Sequence, residues 1–221
     1  MAEKRHDPVV VIGLGRFGTA LALELSSEGT EVLAIDSRPK VVQALSGSLT
    51  HIATADATDA EALRQLGVPE FERAVVAIGT DMEASILTAS QLVDLEIPHI
   101  WAKAVSREHA RILERVGVHH VVQPEADMGE RVAHLIGGQV LDYVMVDKDF
   151  VLVTTRPPKE LVGRPLGETG LRKKHGVTVV CVKGPGGSFT YVTTETVLQY
   201  GDIIIVAGPV EKAERFAEWA D

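Results

Sequence analysis

The chain has 221 residues, of which 45% are hydrophobic and 24% charged, as expected for a globular protein of one large domain or two modest ones. Its net charge of -9 argues against a protein that follows a nucleic-acid backbone, so nucleic acid is not an expected partner. No apolar run approaches the ~18 residues of a membrane-spanning helix, and the single cysteine excludes an intramolecular disulfide and fits a reducing cytoplasm.

Up to residue 136, apolar strand-like runs alternate with segments of helical periodicity. Strands are predicted at Val9–Ile12, Glu31–Asp36, His51–Thr54, Ala74–Ala77, His99–Lys103 and His120–Val122. Helices are predicted at Gly15–Ser26, Lys40–Ser46, Asp59–Leu66, Asp81–Leu95, Arg107–Val116 and Glu125–Ile136. Because parallel neighbouring strands need a helical crossover between them, this α/β order predicts a Rossmann-type doubly wound parallel sheet.

Gly137 and Gly138 interrupt this alternation, and we place a domain boundary there, with residues 1–138 in the first domain and 139–221 in the second. Glycine and proline positions in the tail delimit short elements. They are strands near Phe150–Thr155, Val177–Lys183 and Asp202–Ala207, helices around Pro165–His175 and Val210–Trp219, and a tight turn at 184–187. The tail is therefore expected to be a small α+β domain.

The turn after the first strand has the pattern G-x-G-x-x-G, formed by Gly13, Gly15 and Gly18. The first glycine permits a tight turn, the second lets a pyrophosphate approach the backbone, and the third lets the helix pack close to the strand. Asp36 ends the second strand, where its carboxylate would accept both ribose hydroxyls of an adenosine. The alternative is a glycine turn that only packs a helix. The acid at this position favours an adenine nucleotide as the ligand.

Further polar residues follow the strands at the same edge of the sheet. Arg16 stands in the glycine loop, where its planar guanidinium would match phosphate oxygens. Lys103, His109 and Glu125 would lie at the same crevice. For each of them, a solvated side chain without a role in binding is an alternative. The third and fourth strands lead into a second group of candidates, Asp56, Ala57, Thr58, Ile78, Gly79 and Thr80. For Asp56, a turn that enters the next helix is an equally good interpretation.

No catalytic constellation accompanies this predicted pocket. The sequence has no Ser/His/Asp order, no C-x-x-C and no H-E-x-x-H motif. A hydride-transfer enzyme needs a substrate domain that holds a general acid or base against the nicotinamide, and the tail offers one histidine, His175. We therefore expect a nucleotide-binding protein that is not an enzyme.

Several longer segments resemble one family. They are VVVIGLGRFGTALA, VLAID, AVVAIGTDMEASILT, IPHIWAKA, ILERVGVHHVVQPEADMGERVA and GDIIIVAG. Together they resemble the cytoplasmic RCK (KTN) regulatory subunits of bacterial potassium uptake systems, of the TrkA and KtrA type, over nearly the whole chain. The resemblance implies a Rossmann nucleotide-binding domain followed by a C-terminal regulatory domain of the RCK_C (TrkA_C-like) type.

The resemblance also implies an assembly. Such subunits form a homo-oligomeric ring, commonly an octamer built of dimers, on the inner face of the cell membrane. The ring gates a membrane potassium-translocating subunit of the KtrB or TrkH type. The helical region 107–137 would carry interface residues for this assembly.

Residue roles follow from positions that match the family. The three loop glycines would hold phosphates and Asp36 the ribose, while Arg16 would reach a terminal phosphate, including one on a neighbouring subunit, and so distinguish ATP from ADP. Glu125 would hold a divalent cation, Mg²⁺ or Ca²⁺, near the phosphates. The other implied pocket residues are Phe17, Ser37, Arg38, Asp56, Ala57, Thr58, Ile78, Gly79, Thr80, Lys103 and His109. Asp56 departs from the family, which often has asparagine there, and this leaves NAD or NADH open as the ligand.

Some members of the family bind cyclic di-AMP at the C-terminal domain. Arg172, Lys173 and His175 are the candidates for such a site here, although a solvated basic helix end is the favoured explanation of this stretch.

Two other functions stay open beside a nucleotide-sensing gating ring. One is a small NAD-dependent oxidoreductase, since Asp36 would repel the 2′-phosphate of NADP. The other is a transcription factor that senses the redox state by binding NADH, and such a protein would require a DNA-binding module.

Overall fold

The computed structural model describes residues 7–137 and 140–220, which fall into two compact units. One unit ends at Glu125 and the other begins at Ala126. The predicted domain boundary, between Gly138 and Gln139, lies outside the described residues, and the helix before it belongs for most of its length to the second unit. Within the described ranges, no helix combines the length and apolar character needed to cross a membrane.

A six-stranded parallel sheet forms the first unit, in the order β3-β2-β1-β4-β5-β6. Its strands are β1 Val9–Ile12, β2 Val32–Asp36, β3 His51–Thr54, β4 Arg73–Val76, β5 His99–Lys103 and β6 His120–Val122. The helices are α1 Arg16–Ser27, α2 Pro39–Leu45, α3 Ala60–Gln65, α4 Met82–Asp94, α5 Arg107–Val116 and α6 Pro124–Ile136, with a 3₁₀ helix at Val68–Glu70. The strand order reverses at β1, between β2 and β4, which confirms the predicted doubly wound sheet.

Two apolar layers hold helices against this sheet. β1 is buried along its full length, and its alternate side chains enter different layers. Val10 and Ile12 pack in the layer that contains Leu92 of α4, while Val11 packs in the layer that contains Ala22 of α1. Burial on both faces explains why the strands read as continuous apolar runs.

Side-chain caps fix the starts of helices that follow the strands. Asp81 accepts a hydrogen bond from the Ala84 amide at 2.9 Å at the start of α4. Ser106 accepts one from the His109 amide at 3.1 Å at the start of α5. Such caps satisfy amides of the first helical turn, so the carboxyl edge of the sheet is a row of fixed strand-to-helix turns.

The second unit is built on a five-stranded antiparallel sheet in the order β10-β9-β11-β8-β7. Its strands are β7 Asp142–Asp147, β8 Phe150–Thr155, β9 Thr178–Lys183, β10 Thr190–Tyr191 and β11 Ile203–Pro209. The helices are α7 Leu166–Thr169, α8 Leu171–His175 and α9 Val210–Trp219, with a 3₁₀ helix at Lys159–Leu161. α9 buries Ala213, Phe216 and Ala217 in the core of this unit. The predicted α+β class of the tail is confirmed.

One predicted helix of the tail is interrupted. The stretch Pro165–His175 forms two short helices, because Gly170 has a φ of +63° and ends α7 in the left-handed conformation. β10 has only two residues, too few for a periodic signal in the sequence.

Gly18→Ala is expected to destabilise the first unit. A Cβ on Gly18 would lie 1.9 Å from the Gly13 carbonyl oxygen and 2.9 Å from the Ala77 Cβ, so α1 would have to move away from β1. Urea denaturation should show a free energy of unfolding lower by about 1–3 kcal/mol.

Gly15→Ala is the matched control, since a Cβ there would meet no described atom within 4 Å and its φ of -73° suits alanine. This variant should stay within about 0.5 kcal/mol of wild type. Equal losses in the two variants would contradict the close helix–strand contact.

Candidate nucleotide-binding site

The glycine loop joins β1 to α1 at the carboxyl edge of the sheet. Gly13 has a φ of +94°, and a Cβ there would lie 2.9 Å from the Ile78 side chain, so glycine is required. Gly15 is the N-cap residue of α1, and no described side chain caps this helix. Amides of its first turn therefore lack a side-chain partner, and they and the helix dipole favour an anion at this point.

A cavity of about 420 Å³ opens beside this loop, within the ~300–1,000 Å³ typical of small-molecule sites. Most predicted site residues line it, namely Gly13, Gly15, Arg16, Phe17, Asp36, Ser37, Arg38, Asp56, Ala57, Thr58, Ile78, Gly79, Thr80, Lys103 and Glu125. The lining that the sequence analysis missed is Ile12, Ile35, Ala55, Ala77, Asp81, Ala84, Thr88 and Val105. Most of these residues adjoin predicted ones at strand ends, where position alone would have found them. Ala84 and Thr88 lie one turn apart on α4 and carry no such signal.

Asp36 is buried at the end of β2, where its carboxylate accepts four hydrogen bonds. Oδ2 accepts from the Leu14 amide at 2.7 Å and from Arg38 Nη2 at 2.8 Å. Oδ1 accepts from the Arg38 amide and from Arg38 Nε, each at 2.9 Å. Burial alone would raise the pKa of Asp36, but the bonds from Arg38 and Leu14 outweigh burial and lower the pKa. The ionised carboxylate thus ties the glycine loop to β2.

Lys103 and Glu125 form an ion pair in the cavity wall. Lys103 Nζ lies 2.5 Å from Glu125 Oε1. The Lys103 side chain is 10% exposed, whereas that of Glu125 is 64% exposed. The bond from Lys103 lowers the pKa of Glu125, and the charge of Arg16 contributes in the same direction. The end of β5 therefore presents an ammonium group to the cavity, with Glu125 as its partner.

Asp56 forms a turn and also lines the cavity. Its Oδ1 accepts from the Thr58 amide at 3.0 Å and from Thr58 Oγ1 at 2.7 Å, which forms the turn before α3. These bonds lower the pKa of Asp56. The residue also lines the cavity, so the turn positions a carboxylate there.

Gly18 and His109 lie outside the cavity lining. Gly18 faces Gly13 and Ala77 across the helix–strand contact, which is the packing role predicted for the third glycine. His109 is fully buried, and its Nδ1 accepts a hydrogen bond from the Val105 amide at 3.3 Å. Burial lowers the pKa of His109. His109 thus supports the turn after β5, while Val105 reaches the cavity.

Within residues 7–137 and 140–220, no group of three or more His, Cys, Asp or Glu side chains is suited to a metal ion. Glu125, the predicted cation ligand, already has the ammonium group of Lys103 on its Oε1. A divalent cation would have to displace this partner. The residues of one chain therefore do not fit a resident metal at Glu125.

An uncapped helix start, a buried acid and the cations Arg16 and Lys103 face one crevice at the switch point of a parallel sheet. This arrangement defines a nucleotide-binding Rossmann domain, here joined to a small antiparallel α+β domain.

Comparison with known proteins establishes the family. Residues 9–124 match the TrkA-N domain and residues 150–221 match the TrkA-C domain. The chain therefore belongs to the RCK (KTN) family of the TrkA and KtrA type, as its sequence predicts. It is 33% identical to the Ktr system potassium uptake protein A of Bacillus subtilis (strain 168), over 98% of both chains.

Solved structures share the fold at lower identity. A GsuK channel bound to NAD has a TM-score of 0.67 and 17% identity, over 100% of this chain and 41% of that chain. GsuK bound to ADP has a TM-score of 0.52 and 15% identity, over 64% of this chain and 36% of that chain. The chain thus spans less than half the length of either solved channel.

Asp36→Asn is expected to lower stability in a pH-dependent way. Because the pKa of Asp36 is lowered on folding, its contribution is present above the unfolded pKa of about 3.9 and is lost as pH falls through the lower folded value. We expect a loss of about 1–3 kcal/mol at pH 7 that shrinks toward pH 3, measured by urea denaturation at each pH. Asp56→Asn, at an exposed turn, should change stability less. A loss from Asp36→Asn that is as large at pH 3 as at pH 7 would contradict the ionised clamp.

Proposed function

We propose that this chain is a nucleotide-sensing subunit of a potassium uptake system, which controls a membrane potassium-translocating subunit without reacting with the nucleotide. The observation that carries the proposal is the single cavity shared by the start of α1, Asp36, Arg16 and Lys103. The relative named as a potassium uptake protein supports the transport role. ATP and ADP are the proposed ligands. NAD or NADH is the second candidate, because GsuK structures bind both NAD and ADP.

The nucleotide would lie across the switch point of the sheet. Its phosphates would meet the amides at the start of α1, near Arg16 and Lys103, and its adenine would lie toward Asp56. Its ribose would lie on Asp36, whose two oxygens each accept one bond from the Arg38 side chain. That side chain is 58% exposed, so it would move away and let the two ribose hydroxyls take its two positions.

Sensing requires that ATP and ADP favour different assemblies. A ligand shifts such an equilibrium only by its different affinity for the two states. Arg16 is exposed at the mouth of the glycine loop, where it would contact a terminal phosphate of its own or a neighbouring subunit's nucleotide. ATP has this phosphate and ADP lacks it, which supplies the difference.

A homo-oligomeric ring, with an octamer built of dimers as the proposed size, would carry this response to the membrane subunit at the cytoplasmic face. Met128, Val132 and Ile136 are exposed at four-residue spacing on α6. Such an apolar stripe supports self-association through this helix.

A divalent cation with ATP stays a prediction. Mg²⁺ usually keeps several waters and binds through one or two carboxylates together with substrate phosphates. Glu125 would supply such a carboxylate only after exchange of Lys103, so no step of the proposed mechanism depends on the cation.

Cyclic di-AMP at the second unit also stays a prediction. A second cavity of about 510 Å³ is lined by Arg172 and Lys173, which supports an anionic ligand there. His175 is not part of that lining, and it stacks on Trp219 with ring centroids 4.4 Å apart.

Two rival functions have distinct assays. A small NAD-dependent oxidoreductase would oxidise NADH in the presence of carbonyl substrates. A transcription factor that reads NADH would retard genomic DNA in an electrophoretic shift. The transport role predicts neither result.

ATP and ADP are expected to bind wild-type protein and to bind Gly15→Ala at least about tenfold more weakly in calorimetric titration. A Cβ on Gly15 would stand where phosphates approach the backbone, and it leaves the fold unstrained. Arg16→Ala should retain ADP binding and lose part of the preference between ATP and ADP. Unchanged binding by Gly15→Ala would exclude the cavity as the site. Equal ATP and ADP affinities in wild type and in Arg16→Ala would exclude the role of Arg16.

Potassium flux is expected to depend on the nucleotide when the chain is reconstituted with its membrane subunit in vesicles. ATP and ADP should give different flux rates with wild-type protein, because they favour different ring states. Gly15→Ala should abolish that difference while it retains binding to the membrane subunit. Nucleotide-independent flux with wild-type protein would overturn the proposal.

A further inference from the structure

We propose that Glu125 is an internal competitor of the nucleotide phosphates, because its carboxylate occupies the ammonium group of Lys103 that the phosphates would use. The inference rests on the proposed function, since it concerns the regulation of the same site. Both residues line the cavity and lie 2.5 Å apart through Nζ and Oε1.

The ammonium group of Lys103 is confined to the cavity. Its side chain is 10% exposed, and a Cβ on Gly79 would lie 3.2 Å from Nζ. On another side, the Phe17 ring has its centroid 5.8 Å from Nζ. Glycine at position 79 thus leaves the room that the ammonium group fills. Lys103 would exchange one anionic partner for another within the cavity, since a buried ammonium without a partner is costly.

Glu125 is the mobile partner of the pair. Its side chain is 64% exposed, so it would lose its bond to Lys103 and reach water at small cost. Glu125 also lies within the electrostatic reach of Arg16, which helps to lower the pKa of Glu125. The carboxylate therefore opposes phosphate binding in two ways: it occupies Lys103, and its charge offsets the field of Arg16.

Competition gives the first turn of α6 two states. Glu125 is the second residue of α6 and the last residue of the first unit. When phosphates take Lys103, Glu125 is repelled by their negative charge and its bond to β5 is broken. The number of phosphates thereby sets how strongly the start of α6 is held.

This role has the opposite consequence from that of a cation ligand. If Glu125 held a cation for ATP, its removal would weaken ATP binding. If Glu125 competes with phosphate, its removal strengthens binding, and it does so without any divalent cation present.

The test is calorimetric titration of wild type and Glu125→Gln with adenosine, AMP, ADP and ATP in the presence of EDTA. Glu125→Gln should bind ADP and ATP about three- to tenfold more tightly than wild type, as expected for the loss of a charged hydrogen-bonded competitor. Its affinity for adenosine should be unchanged, because adenosine carries no phosphate. Glu130→Gln, the same substitution at an exposed position of α6, is the matched control and should leave all four affinities unchanged.

Lys103→Met supplies the second arm. When Lys103 is already replaced by Met, Glu125→Gln should raise the affinity for ADP and ATP by less than half as much as it does in wild type. The reason is that the ammonium group for which phosphate and carboxylate compete is gone. Weaker ATP binding by Glu125→Gln in EDTA, or an equal gain for adenosine, would overturn the competition. A wild-type protein that binds none of the four ligands would instead refute the proposed function, and the competition with it.

Discussion

The bond between the Asp36 carboxylate and the Leu14 amide is the interaction on which the cleft depends. It joins the end of β2 to the glycine loop, and it is buried at 2.7 Å. The loop must hold Gly13 at a positive φ and bring Gly18 against the backbone of Gly13, so its path has little freedom. A neutral side chain at position 36 would leave Leu14 with a weaker acceptor and Arg38 without a counter-charge. The residue that would recognise the ribose is therefore also the one that shapes the loop for the phosphates.

Three carboxylates that line the cavity are each paired with a neighbouring side chain. Asp36 is bonded to Arg38, Glu125 to Lys103 and Asp56 to Thr58. Such pairing avoids the cost of isolated charges in a half-buried cleft. A nucleotide would replace these bonds rather than add to them. Its binding free energy is therefore the difference between the bonds that it forms with the cavity and the bonds that it breaks there. Small chemical differences between ligands, such as one phosphate, then have a large relative effect on occupancy, which suits a sensor.

The six strands of the first unit, the glycine loop and most of the cavity lining were predictable because local patterns encode them. Apolar runs mark the buried strands, and residues just after those runs share one edge of the sheet. The ion pair was not predictable, since Lys103 and Glu125 are 22 residues apart and meet only because β6 pairs with β5, with Val122 opposite Lys103. His109 was placed over the crevice from its position after β5. It lies with Ala110 and Leu113 on the buried face of α5, which helical periodicity indicates once Ser106 is recognised as the cap.

α6 begins at the cleft and has most of its length in the second unit. Its first turn holds Glu125, and from Ala126 onward it belongs to the second unit. There, Arg131 Nη2 donates to Asp142 Oδ1 at 2.7 Å, and His134 stacks on Tyr143 with ring centroids 4.0 Å apart. His134 Nδ1 also lies 3.2 Å from Glu214 Oε1 on α9. These contacts fix the body of the helix to the β-sheet and α9 of its own unit. A change of partner at Lys103 would therefore alter how the first turn is held in a helix whose body is fixed within the second unit.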